Sequence, residues 1–91
     1  MSRYDWDPEK ARENLAKHGV SFREADTVPD GEHARWFGDL RHSVADERFI
    51  VIGYSDRGRL LVVVTSEGGP RPRIISAWRA TKRERREYEE G

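Results

Sequence analysis

Two apolar stretches, Phe49-Ile50-Val51-Ile52 and Leu60-Leu61-Val62-Val63-Val64, flank the segment Ser55-Asp56-Arg57-Gly58. β-Branched residues dominate both, and a glycine is available for the positive φ angle of a tight turn. The pair therefore reads as an antiparallel hairpin, Glu47 to Tyr54 with Arg59 to Thr65. Because Phe49 to Ile52 is continuously apolar rather than alternating, its strand is expected to be central and covered on both faces. In a chain of 91 residues, 37% of them charged, this hairpin holds the densest apolar surface, and the rest of the fold has to be arranged around it. Apolar residues bunched in this way argue for a folded chain despite the charge, and the length allows one thin-cored domain over residues 1–91.

The flanks carry helix signals. Asp7 can cap a helix, Pro8 suits its first position and Glu9 complements the positive end of its dipole, while Gly19 ends it. Leu15 lies one turn after Ala11 and three residues before His18, so a narrow apolar stripe is expected to face inward, with Lys17 and His18 in the last turn. Ser21-Phe22-Arg23-Glu24 has capping-box spacing and predicts a short helix from Phe22 to about Thr27, broken by Pro29-Asp30-Gly31. Ala34 to Gly38 is a strand, with His33 before it in a loop, and Asp39 to Asp46, which includes His42, is a polar connection. After the Gly68-Gly69-Pro70 turn comes a strand over Arg71 to Trp78. Thr81-Lys82-Arg83-Glu84 is a second capping box, opening a helix to about Glu89. Two helices, a mainly antiparallel meander and a final helix make an α+β fold, expected to pack its helices on one sheet face and leave the other open to a ligand.

The formal net charge of zero conceals a separation of sign. Met1 to Glu47 holds seven basic and eleven acidic residues, 7 − 11 = −4, whereas Arg71 to Arg86 holds seven basic and one acidic, 7 − 1 = +6. Both a polyanion-binding surface and a plain solvated helix face fit that asymmetry. There is no cysteine, which excludes disulfides, thiolate metal sites and thiol nucleophiles. No histidine pair has metal-ligand spacing and the N-terminal acidic residues sit at helix-start positions, so neither a metal nor another cofactor is expected. The run Leu60 to Val64 falls far short of the roughly 20 residues a membrane helix needs, and Met1 to Asp7 contains no signal-peptide core. A cytoplasmic protein with no membrane partner is the expectation.

An ordered set of short motifs runs along nearly the whole chain. It begins with Trp6-Asp7-Pro8, Lys10, Asn14, Lys17-His18-Gly19-Val20, Phe22 and Glu24-Ala25, and continues through His42-Ser43, Glu47-Arg48-Phe49, Ile52-Gly53-Tyr54 and Arg57-Gly58-Arg59. It ends with Arg73-Ile74-Ile75-Ser76-Ala77, Ala80-Thr81, Glu84-Arg85 and Tyr88. In this order and spacing the set resembles the BrnT toxin family. The resemblance implies a RelE-like fold and metal-independent RNA cleavage that inhibits translation. It also implies neutralisation by a BrnA-type antitoxin, a ribbon-helix-helix DNA-binding protein, the two forming a type II toxin–antitoxin pair. Where the family usually reads Ser-Ala-Arg, this chain has Ser76-Ala77-Trp78, with an arginine next at Arg79.

Cleaving RNA without a metal needs a base for the 2′-hydroxyl, in-line alignment, neutralisation of the phosphorane charge and an acid for the 5′-oxygen. His18 has the only side-chain type that ordinarily titrates near neutrality. Glu47 and Arg48 open the central strand, where the carboxylate can act as a base or orient the arginine. Strand alternation puts Arg71, Arg73, Ile75 and Ala77 on one face, joined by Arg79, and Ile74, Ser76 and Trp78 on the other, inward face. Arg73 and Arg79 would then grip phosphates together. His18, Glu47, Arg48, Arg73 and Arg79 are the candidate catalytic residues, and Lys17, Arg59 and Lys82 are further candidate RNA contacts. Each has a plainer reading as well: a helix-end cation for His18, a solvated Lys17, an exposed ion pair for Glu47 and Arg48, and charges that protect an edge strand. Trp36, Trp78 and Tyr54 are able to stack bases, but in so small a domain they are expected in the core. From a different class, a non-catalytic module binding nucleic acid or an acidic partner through the basic C-terminal segment also fits, and only the enzyme would yield discrete RNA fragments in chelator.

Overall fold

The structure, a computed structural model, describes residues 3–38 and 47–91; the expected polar connection with His42 lies outside them. Helix α1 (Pro8–His18) and helix α2 (Phe22–Ala25) precede strands β1 (Arg35–Gly38), β2 (Arg48–Tyr54), β3 (Leu60–Ser66) and β4 (Arg73–Arg79), and α3 (Lys82–Glu90) follows. The strands form one antiparallel sheet in the order β1-β2-β3-β4. Local signals place the elements well. Asp7 accepts a hydrogen bond from the Glu9 N–H to cap α1, and Gly19 ends it at φ 70° with its N–H on the Leu15 carbonyl, a left-handed stop that glycine adopts at little cost. Gly58, at φ 77°, closes the β2–β3 turn. Thr81 and Glu84 make the reciprocal capping box of α3.

Three features depart from the expected arrangement. First, the helices do not share one face. Val51, Leu61, Val63, Ile74 and Ala77 pack with Phe22, Val20 and Tyr4 under α1 and α2, whereas Ile52, Leu60 and Val62 pack on the opposite face with Trp78, Ala80 and Tyr88 at α3. The continuous apolar runs of β2 and β3 call for cover on both sides, and Tyr88 of α3 contributes to it on the second face, beside Ile52, Leu60 and Val62.

Second, the inward residue of α1 is Asn14, which is 7% exposed, whereas Leu15 is 51% exposed. The helix lies along the outer edge of β4, where open peptide groups need partners more than apolar surface does. The Asn14 amide donates to the Ala77 and Val20 carbonyls, both at 2.9 Å, and its oxygen accepts from the Ala77 N–H at 3.2 Å and the Ser76 hydroxyl at 3.3 Å. Further along the same edge, Asp5 forms a parallel bridge to Arg73, with its N–H on the Pro72 carbonyl and its carbonyl accepting from Ile74.

Third, β4 carries a bulge. Val64 pairs with Ser76 but Thr65 pairs with Ile74, leaving Ile75 as an extra residue. The extra residue reverses the alternation beyond it. Ile74 and Ala77 therefore share the face under α1 and α2, together with Arg79 opposite Leu61, while Arg73, Ser76 and Trp78 share the other face. The expected common face of Arg73 and Arg79 is corrected accordingly, as is the shared parity of Ile74 and Trp78.

Candidate active site

The bulge and the edge-on helix create a groove. On one side α1 presents Lys10, Glu13, Lys17 and His18, and the floor is Ile75 and Ser76 of β4. Lys10 and Ile75 also line an adjoining hollow with Asp7, Arg48, Ser66 and Arg73. Arg48, Ser66 and Arg73 occupy consecutive strands in register, with Arg48 opposite Ser66 and Ser66 opposite Arg73, on the sheet face that also carries Ser76 and Trp78. Trp78 lies beside His18, outside the lining of the two hollows, its ring centroid 6.1 Å from that of His18.

Helical spacing explains the first wall. Residues 10, 14, 17 and 18 are separated by four, three and one, so they fall on one side of α1. With Asn14 pinned to Ala77, Lys10, Lys17 and His18 are carried against the β4 edge. Four permanent cations, Lys10, Lys17, Arg48 and Arg73, line the two hollows against two carboxylates, Glu13 and Asp7. Asp7 already serves as the helix cap. The groove thus combines an imidazole, a carboxylate, a hydroxyl and a cationic surround, a set able to move a proton beside a phosphodiester and offset charge developing on it.

His18, Lys17, Arg48 and Arg73 are brought together. Arg79 is not: it is exposed, but faces the α1 and α2 side of the sheet. Glu47, one residue before β2 in a chain whose ladder continues through its carbonyl to Glu67, is turned by alternation away from Arg48. Arg59 is engaged elsewhere. Its Nε and Nη2 donate to the Glu24 carboxylate at 2.9 and 2.5 Å and its Nη2 also donates to the Gly19 carbonyl, so its guanidinium joins α2 to the β2–β3 turn. Lys82 is exposed at the start of α3, beyond Trp78. Of the aromatics expected in the core, Trp36 and Tyr54 are exposed at 41% and 47%, and only Trp78 is half-buried. Sequence reasoning passed over Lys10, Glu13 and Ser76 as chemical candidates; the helical spacing with His18 was the available signal for the first two.

A four-stranded antiparallel sheet with a helix along one edge, and a cationic groove holding acid–base groups between them, defines a small α+β domain of the kind that handles a polyanion. The family of ribonuclease toxins, BrnT, of type II toxin–antitoxin systems matches residues 6–84, and the chain belongs to that family. Its fold is similar to that of the Brucella abortus ribonuclease toxin BrnT in a 1.1 Å crystal structure, with a TM-score of 0.65 at 22% identity, over 90% of this chain and 100% of that one. Among curated protein sequences none matches. Membership of a type II toxin family brings with it an RNA-cleaving activity and an antitoxin partner. No helix among the described residues is long and apolar enough to cross a membrane.

Proposed function

We propose that this chain is a metal-independent endoribonuclease that cuts in the groove between α1 and β4, and that it acts in the cytoplasm to inhibit translation. The convergence of His18, Lys10, Lys17, Arg48 and Arg73 on one groove carries the reading. His18 takes the proton of the attacking 2′-hydroxyl; the 2′-oxygen bonds to phosphorus, the bond to the 5′-oxygen breaks, and that oxygen leaves with the proton relayed back from His18 through water. Arg73, Arg48 and the two lysines offset the charge on the phosphorane, and Glu13 is placed to exchange protons with the same centre. Four cations make a poor host for a divalent metal but supply the charge a metal would otherwise bring. Among the described residues no three carboxylate or imidazole side chains converge as ligands.

Cleavage of pure RNA is expected to continue in excess chelator and to leave 2′,3′-cyclic or 3′-phosphate ends with 5′-hydroxyl partners. Activity that stops on chelation, or products with 3′-hydroxyl ends, would count against this chemistry. The same assay separates the enzyme from a basic binding module, which would give no fragments at all.

The antitoxin is proposed to be of the BrnA, ribbon-helix-helix type, and to silence the enzyme by covering the groove and Arg73. Arg79, which faces the other side of the sheet, is not part of that surface.

A further inference from the structure

Trp78 is outside the lining of the two hollows but its ring neighbours that of His18, and it takes no part in the proton chemistry just described. It lies two residues beyond Ser76 on the same sheet face, about 6.6 Å along the strand. Its ring is half-buried, packed against the cluster of Ile52, Leu60 and Val62, and tilted 45° to the His18 ring. Its indole N–H is already committed, donating to the Glu84 carboxylate at 3.1 and 3.4 Å, and that carboxylate is itself held by the Thr81 N–H at 2.9 Å. An indole fixed on two sides has little side-chain freedom left to lose when something settles on it. With its donor taken by α3, what remains for the groove is aromatic surface, which favours stacking over hydrogen-bonded readout of a base edge.

We infer that Trp78 is a nucleobase platform. The base of the nucleotide held next to His18 stacks on its indole, while the phosphates lie toward Lys10, Arg48 and Arg73. Such stacking is tolerant of base identity, since every base has an aromatic face, so Trp78 sets the position of the strand relative to His18 more than its sequence. Glu84 acts through Trp78 as a positioning residue. The inference rests on the reading of the groove as the RNA site.

A hexanucleotide carrying 2′-O-methyl groups lacks the attacking hydroxyl, so binding to the full chain can be measured apart from cleavage. A series of such oligomers, each with one base removed, should show one position at which wild-type protein binds about 5- to 150-fold more weakly than it binds the parent. Trp78→Leu, which keeps apolar volume over Ile52 and Val62, should bind the parent more weakly by a similar factor and be indifferent to the missing base at that position, with Trp78→Phe in between. A flat abasic series with wild-type protein, or a folded Trp78→Leu that binds the parent at full affinity, overturns the platform and leaves the ribonuclease groove standing if RNA is still cleaved. The abasic series needs no variant, so it decides the matter even if Trp78→Leu does not fold. Wild-type protein that neither binds the parent oligomer nor cleaves RNA overturns the groove reading and the platform with it.

Discussion

Replacing Arg73 by alanine is expected to lower the rate of RNA cleavage by about 10²–10³-fold, the usual loss for one transition-state charge donor. The melting temperature should hardly move, because exposed side chains usually contribute within about ±0.5 kcal/mol. Arg79→Ala should leave both activity and stability near wild type. The two arginines are six residues apart on one strand, and simple alternation would give them the same role. The extra residue at Ile75 divides them: Arg73 shares a hollow with Arg48 and Lys10, whereas Arg79 stands opposite Leu61 on the face under α1 and α2. Ile74→Ala is the complementary case. Its side chain is 3% exposed in the main core, so the variant should lose roughly 2–5 kcal/mol of stability and keep activity per folded molecule. Steady-state cleavage rates and thermal melts on the three variants make the comparison. Equal activity losses for Arg73→Ala and Arg79→Ala would mean that RNA is not cut in this groove.

Sequence reasoning succeeded where the cause of structure is local. The Asp7 cap, the Gly19 stop, the Ser21 and Thr81 caps and the Gly58 turn each depend on a few neighbouring residues, and each is in place. The hairpin followed from the density of apolar residues on either side of that turn. The bulge had no such signal, since Ile75 is as good a strand residue as Ile74. What ejects it is the competition for the outer edge of β4, where Asp5 bonds on one side of it and Asn14 on the other. That contest is between segments about 60 residues apart in sequence, and no window on the chain contains it.

The candidate site was legible to the same degree. His18 and Lys17 are neighbours on a helix whose end was correctly read, so their common location needed no tertiary information. Arg48 and Arg73 came from two strands, and their meeting depends on register and on the bulge. The engagement of Arg59 by Glu24 is not legible in the sequence, because its charge is visible there and its partner is not: Glu24 reads as a capping-box residue, and only the packing of α2 beside the β2–β3 turn makes it a buried carboxylate. Arg48 and Arg73 line a groove with the two lysines of α1, whereas Arg59 is held by an acidic group inside the fold.

That difference leads to the largest expected effect on stability. Glu24 has a side chain only 3% exposed, and its carboxylate accepts from Arg59 twice and from the Ser55 hydroxyl at 2.7 Å, while Arg57 lies 3.9 Å away. Replacing it with alanine leaves the partly buried Arg59 guanidinium without its counter-charge and Ser55 without an acceptor, and breaking a buried pair in this way typically costs about 3–5 kcal/mol. At about 4–8 °C per kcal/mol in a domain of this size, the melting temperature should fall by about 12 °C or more. The double replacement Glu24→Leu with Arg59→Met should recover much of that loss, since two well-packed apolar groups can match a buried ion pair. The pH dependence has a fixed sign. Hydrogen bonding from Arg59, reinforced by Ser55, holds the Glu24 carboxyl below its ordinary value of 4.5 against the opposing effect of burial. The unfolded chain therefore takes up a proton here before the folded one does. The stabilisation is fully present above pH 4.5 and drains away as pH falls through the depressed folded value. Urea unfolding from neutral pH downward should show wild type approaching the Glu24→Ala variant in stability in acid, with a constant offset between them above that range. Because the network lies on the opposite side of the sheet from Arg73, Arg59→Met should destabilise the chain without weakening its hold on a non-cleavable RNA. An Arg59→Met protein that kept full stability but lost RNA affinity would return Arg59 to the binding surface and displace the network from its structural role.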